Sequence, residues 1–248
     1  HGIDLVRRAD GEVWLYAITH REAGEEPPHA IAVYRVRPDR LEFVELLEDP
    51  LLASPNDLTA TPDGQIYVNN DSSAGGGLAE VIFALKKSTV VHRDARGNWK
   101  VVADRLAYCN GIAVVGNRVI VAATREHAIY GFSILGDGSL THKTRLARVK
   151  GPDNFFVAGD DLFVACHPRA VEFAKHALNP KRRSPSRIYR LDLATNELQL
   201  VFADDGSGIS GSATGIWLDQ ILWIGQVFDP FVIEARVRPP DKDARQDP

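Results

Sequence analysis

Ser54-Pro55-Asn56-Asp57-Leu58-Thr59-Ala60-Thr61-Pro62-Asp63-Gly64-Gln65-Ile66-Tyr67-Val68 is the stretch that decides the fold. Small polar residues lead into an apolar strand. Pro62-Asp63-Gly64 supplies a tight turn, and an apolar-aromatic strand returns, which is the signature of a β-hairpin. The same pattern recurs along the chain. His1-Gly2-Ile3 goes with Val13-Trp14-Leu15-Tyr16, and Asn110-Gly111-Ile112 with Val119-Ile120-Val121. Asp153-Asn154-Phe155 goes with Leu162-Phe163-Val164, and Ala213-Thr214-Gly215-Ile216 with Leu222-Trp223-Ile224. The copies are about 45 to 60 residues apart, a spacing that suits four-stranded propeller blades with some long loops.

The fold expected is therefore all-β: a six-bladed β-propeller with four-stranded blades. Five copies are visible, so the sixth blade is expected to be shared between the end of the chain and an N-terminal segment missing from this sequence. The opening His1-Gly2-Ile3-Asp4 is neither a signal peptide nor an initiator region. Residues 1–237 form the single expected domain, and the polar tail 238–248 is expected to be disordered. Connectors without regular amphipathic helices count against a parallel α/β fold. One connector departs from the pattern: Gly75-Gly76-Gly77 precedes Leu78–Leu85, where Leu78, Val81, Ile82 and Leu85 would share one face of a short helix. It is expected to sit over one end of the propeller as a lid or to pack on a blade.

The chain has 248 residues, and its net charge of −4 is scattered in both signs. No basic stripe points to nucleic acid, and no apolar stretch is long enough for a transmembrane segment. Cys109 and Cys166 lack metal-type spacing and read as small buried side chains. No nucleophile elbow, P-loop or dinucleotide fingerprint occurs. Compartment and oligomeric state leave no trace in the sequence.

Equivalent positions of successive blades surround one axis, and here that position holds His1, Asn56, Asn110 and the pair Asp153-Asn154. Asn and Asp are poor choices for entering a strand. Hard oxygen donors converging on one point are what a calcium ion needs. The alternative is that each side chain bonds locally to its own turn.

These motifs, taken in order, resemble the paraoxonase and arylesterase family. They are Ser54-Pro55-Asn56-Asp57-Leu58, Tyr67-Val68-Asn69-Asn70-Asp71, Tyr108-Cys109-Asn110-Gly111-Ile112, Pro152-Asp153-Asn154 and Cys166-His167-Pro168. His1-Gly2-Ile3 and Thr19-His20 resemble its two histidine motifs, and Gly211-Ser212 with Ile224-Gly225 its last blade. The resemblance implies a propeller related to the gluconolactonase group, with two calcium ions in its channel. Asn56, Asn110, Asp153 and Asn154 would hold the catalytic ion. Asp57 and the backbone carbonyl of Ile3 would hold a structural one, with further acidic ligands from a segment preceding His1. His1 and His20 would activate water. His167 would line the pocket, and Asp71 would hold a histidine in place or cap a strand.

The function expected is calcium-dependent hydrolysis of a small-molecule lactone or aryl ester. Tyr108, Val227, Phe228 and the Leu78–Leu85 segment would wall the pocket. The alternatives are a sugar-lactone hydrolase of the gluconolactonase type and a non-catalytic binding propeller. A more polar pocket would favour the first, and a channel without metal the second. His29, His92, His127, His142 and His176 read as surface residues. The C-terminal stretch Phe231–Arg236 lacks the cysteine that secreted animal members of the family use to join the chain ends. The glycine-rich lid keeps their substrate preferences from being carried over.

Overall fold

Central strands of this chain are apolar on both faces, so each must be covered on both sides, and stacked sheets achieve that. The computed structural model describes residues 2–21, 24–76 and 78–236. The first sheet is β1 (Ile3–Arg7), β2 (Val13–His20), β3 (His29–Val36) and β4 (Leu41–Leu47). The second is β5 (Pro55–Ala60), β6 (Ile66–Asn70), β7 (Ser88–Arg93) and β8 (Trp99–Leu106). The third is β9 (Cys109–Val115), β10 (Arg118–Ala123), β11 (Ala128–Ile134) and β12 (Leu140–Arg148). The fourth is β13 (Pro152–Ala158), β14 (Asp161–Cys166), β15 (Ser186–Asp192) and β16 (Leu198–Asp204). The fifth is three-stranded: β17 (Ser212–Leu218), β18 (Ile221–Gln226) and β19 (Ile233–Arg236). Each is an antiparallel meander in chain order, and the first strands touch in the succession β1, β5, β9, β13, β17.

Alternation along the second strands builds the cores. Ile66 and Val68 face the first sheet, while Tyr67 between them faces the third. Val119 and Val121 face the second sheet, and Ile120 the fourth. Leu162 and Val164 face the third sheet, and Phe163 the fifth. Period-two side chains on strands buried on both faces thus glue five sheets into one body.

This is the all-β propeller the repeat predicts, with five of its six expected sheets among the described residues. The outward faces of the first and fifth sheets carry exposed Ile3, Leu5, Ile216, Leu218 and Trp223, the surfaces a sixth sheet would cover. Both cysteines are buried and free. No described helix is long and apolar enough to cross a membrane.

The connectors differ from expectation. A short helix, α1 (Leu78–Ile82), does form, but Ile82, Phe83 and Leu85 are exposed instead of sharing a packed face. The segment is pinned through its backbone, with Arg125 donating to the carbonyls of Val81 (2.8 Å) and Ile82 (3.2 Å). A second helix, α2 (Ala170–Leu178), went unpredicted between β14 and β15. The tail 238–248 lies outside the described residues.

Candidate active site

Every propeller axis is lined by the first strand of each sheet, and here those strands begin irregularly. The ladder slips between Pro55 and Asp57 in β5, beside Asn110-Gly111 in β9, across Asp153-Asn154 in β13 and at Ala213 in β17. A bulge takes a residue out of the ladder and re-aims its side chain. The polar residues singled out from the sequence sit at these slips. Close approach follows: a Cβ on Gly111 would lie 2.5 Å from the Asp153 carbonyl oxygen, so glycine is required for β9 to meet β13 here.

Hydrogen bonds stitch these strand starts together. The Gly2 N–H donates to the Asn56 carbonyl at 2.8 Å. The Asp57 carboxylate accepts from the Leu58 N–H (2.9 Å) and, across the sheets, from the Ile112 N–H (3.0 Å). Asn69, fully buried, accepts from the Asp57 N–H at 3.0 Å and donates to the Asn110 carbonyl. Asn154 donates to the Ala213 carbonyl at 3.0 Å. Asn69 had no role in the sequence reading, although Asn69-Asn70-Asp71 is an unusually polar strand end.

Charge at this end is acidic. Burial pushes Asp57 up to about 7, against the pull of the two N–H donors, and the negative charges of Asp4 and Asp153 push the same way. Burial likewise raises the Tyr108 phenol to about 12, with Asp71 and Asp153 adding to it. Asp71 accepts from Ser54 (2.7 Å), Ser72 (2.8 Å) and the Asn56 amide nitrogen (3.2 Å), so it organises the strand start. Asp153 is 2.6 Å from His167 Nε2, and both side chains are buried.

The wall beside Asp153 comes from α2 and the loop after β18. Phe173 of α2 lies on the His167 ring with centroids 3.9 Å apart, and Phe228 meets Phe173 at 5.3 Å. His167 and Phe228 thus belong to one aromatic wall that also contains Phe173, which the sequence reading missed. Val227 and Phe228 keep substantial exposure, as a rim would.

Histidine placement corrects the sequence reading in several places. His29 is not an isolated surface residue: its Nδ1 lies 2.8 Å from His20 Nδ1. His92 is buried, bonded to Gln65 at 2.7 Å and stacked on Tyr67. His176 is buried against Phe228. His127 is half-buried, and His142 is exposed. Single positions read in isolation carry no trace of partners that lie across a strand pair or in another sheet. Burial, then the neighbouring His29, lower the His20 value, and Asp71 opposes this. His1 lies outside the described residues. Ile3 opens β1 opposite Ala17.

Among the described residues no three His, Cys, Asp or Glu side chains form a ready-made metal cluster. The donors gathered here are instead amides and few carboxylates. Asn56 and Asn154 each commit the amide nitrogen to a protein oxygen, which leaves the amide oxygen for a cation. Asp57 is a buried carboxylate that feels only further negative charge from Asp4 and Asp153. That set fits a hard divalent cation bound through oxygen.

Fold and site together define a propeller with an oxygen-rich polar centre at one end of its channel. Residues 1–232 match the arylesterase family model, and the chain belongs to that family. It is 26% identical over 241 residues to serum paraoxonase/arylesterase 2 of Gallus gallus, covering 92% of this chain and 66% of the relative. It is 25% identical over 241 residues to mechanosensory abnormality protein 6 of Caenorhabditis elegans, covering 92% of this chain and 63% of that protein. The chain therefore spans slightly less than two thirds of the length of these relatives. In three dimensions it resembles a gluconolactonase from Xanthomonas campestris, with a TM-score of 0.54 at 19% identity over 90% of this chain and 68% of the other. That similarity concerns the fold.

Proposed function

We propose that the protein is a calcium-dependent hydrolase of lactones and aryl esters. What supports this reading is the bulged strand starts at Asn56, with Asp57 beside it, at Asn110 and at Asp153-Asn154, in a chain of the arylesterase family. Asn56, Asn110, Asp153 and Asn154 would hold the catalytic ion. Asp57 and the Ile3 carbonyl would hold a structural ion. When bound, the catalytic ion supplies Lewis acidity toward the ester carbonyl.

The protein's own residues do the rest. His167 fixes the Asp153 carboxylate and is itself packed against the tilted ring of Phe173. Asp71 anchors Asn56. His1 and His20 form the histidine pair, His1 taking a proton from water and His20, whose value desolvation and the neighbouring His29 lower, orienting and supporting it. Tyr108, Val227 and the Phe173–Phe228 wall would give the acyl or aryl group an apolar seat, a property that would favour such substrates over sugar lactones.

The test is hydrolysis of phenyl acetate and of an aliphatic lactone by the full-length protein. Turnover is expected to vanish in excess chelator and to return with calcium. Equal turnover after verified removal of metal would overturn the proposal.

A further inference from the structure

Tyr67 and Asn69 point to the same face of β6, the one packed on the third sheet. Tyr67 meets apolar side chains there. Asn69, two residues on, is fully buried and places a carboxamide where β5 and β9 both depart from their ladders. A buried amide is costly unless its polar ends are bonded. Here the side-chain oxygen accepts from the Asp57 N–H at 3.0 Å, and the side-chain nitrogen donates to the Asn110 carbonyl. The reverse orientation would set donor against donor and acceptor against acceptor, so the two contacts fix the amide uniquely. The carboxamide thus takes the part of a peptide group between strand starts of two different sheets. Asp57 stands opposite Asn69 in the ladder, and Asn56 is the residue left over at that slip. Asn110 sits at the corresponding slip in the third sheet.

We propose that Asn69 is a positioning residue for the ion site: its carboxamide holds Asn56-Asp57 of the second sheet and Asn110 of the third at the spacing a calcium ion takes. This rests on the proposed function, in which Asn56 and Asn110 share the catalytic ion and Asp57 holds the structural one. A bulge re-aims a side chain but interrupts the ladder that would otherwise hold it. Ligands carried on two separate sheets keep a fixed separation only if something stiff joins their backbones at the bulges. Asn69 makes that join. The other link here runs from the Ile112 N–H to the Asp57 carboxylate at 3.0 Å, and it depends on a side chain that would itself be a ligand. Asn69 acts through the groups it ties and does not touch the ion. Partners that orient metal ligands in this way typically carry about 10–100-fold in metal affinity.

The experiment titrates metal-stripped full-length protein with calcium alone and follows the heat of binding. Asn69→Asp keeps the shape of the side chain but, ionised, cannot donate to the Asn110 carbonyl. Calcium affinity is expected to fall about 10–100-fold, although a negative charge has been added. Were Asn69 itself a ligand, the new carboxylate would tighten calcium, so an affinity unchanged or raised overturns the proposal. Strontium, a larger ion, separates positioning from general support of the fold. Loss of a set spacing is expected to cost calcium more than strontium, so the ratio of the two affinities falls. A ratio equal to that of wild type would overturn the positioning role. Wild type supplies a check that needs no variant to fold. The side-chain ¹⁵N–H₂ signals of Asn69 are expected to exchange slowly with solvent in metal-free protein and to shift as calcium saturates it. Exchange as fast as that of an exposed amide, or no shift, would also overturn it. Calcium bound by wild type and weakened in Asn69→Asp, with no ester hydrolysed, would sink the hydrolase reading and leave the role of Asn69 standing. Wild type that binds no calcium would overturn both.

Discussion

Asp57 shows how a residue at this site can be a burden or an asset depending on what it faces. Its carboxylate is buried, two backbone N–H groups satisfy it only in part, and Asp4 and Asp153 repel it. Without a cation, burying that charge disfavours the fold. With one, the same carboxylate would bind the ion in the folded state alone, and the ion would stabilise that state by mass action. Asp57→Asn is isosteric and removes the charge. In excess chelator its melting temperature is expected to equal or exceed wild type, and in millimolar calcium to fall below it. An equal loss under both conditions would show that Asp57 acts through its hydrogen bonds and not through an ion. Asp153→Asn, by contrast, is expected to abolish ester hydrolysis with the fold intact. Asp57 stood out in the sequence as part of an Asn-Asp pair that breaks local preference at a strand entry, and its ion role came from the family resemblance. His29 did not, because its significance lies in the register of β2 against β3, which a two-strand alignment fixes and a single strand does not.

Elements show the same division between what local pattern encodes and what only packing decides. The second strand of each blade was readable because both its faces are buried, and a continuous apolar run bounded by turns has few other uses. Helix α2 was missed although Ala170, Glu172, Ala174, Lys175 and Leu178 are good helix formers. It is a single short helix in a chain otherwise read by strand period, and its contribution, Phe173 against His167, is made across a loop. Periodicity gives Leu78–Leu85 an apolar face but not a surface to receive it, and Ile82 and Leu85 stay exposed. Hairpin turns illustrate coupling between neighbouring blades. Gly138, in the turn between β11 and β12, has φ +78°, and a Cβ there would run into the buried His92 ring of β7. Tyr67 reaches the same turn, donating to the Gly138 carbonyl at 3.1 Å. Gly138→Ala therefore combines left-handed backbone strain with overpacking and is expected to cost about 2 kcal/mol or more. In a chain of this length that is a fall in melting temperature of roughly 4–8 °C. A change of less than about 1 °C by calorimetry would mean the turn relaxes freely and is no seam between the second and third sheets.

At the scale of the whole molecule, the site and the fold share the same bonds. Gly2 to Asn56, Ile112 to Asp57, Asn69 to Asn110 and Asn154 to Ala213 join successive sheets at the channel end, where the oxygen donors also gather. An ion held by Asn56, Asn110, Asp153 and Asn154 would bridge three sheets, which otherwise meet chiefly through apolar cores. Binding restricted to the folded state stabilises it by about 2.7 kcal/mol when the free ion is at 100 times its dissociation constant. For a domain of this size that corresponds to a rise of roughly 5–10 °C. Adding calcium to metal-stripped full-length protein is expected to raise the melting temperature by about this amount, and a chelator to reverse it. Magnesium should do much less, because it demands tight octahedral geometry and releases its water reluctantly. Since adjacent sheets share their cores, the shift should appear as a displacement of one cooperative transition and not as the splitting off of a single blade. A melting curve that stays in place across saturating calcium and excess chelator, with metal content verified in both samples, would separate the bonds between the sheets from any ion and leave them a purely structural role.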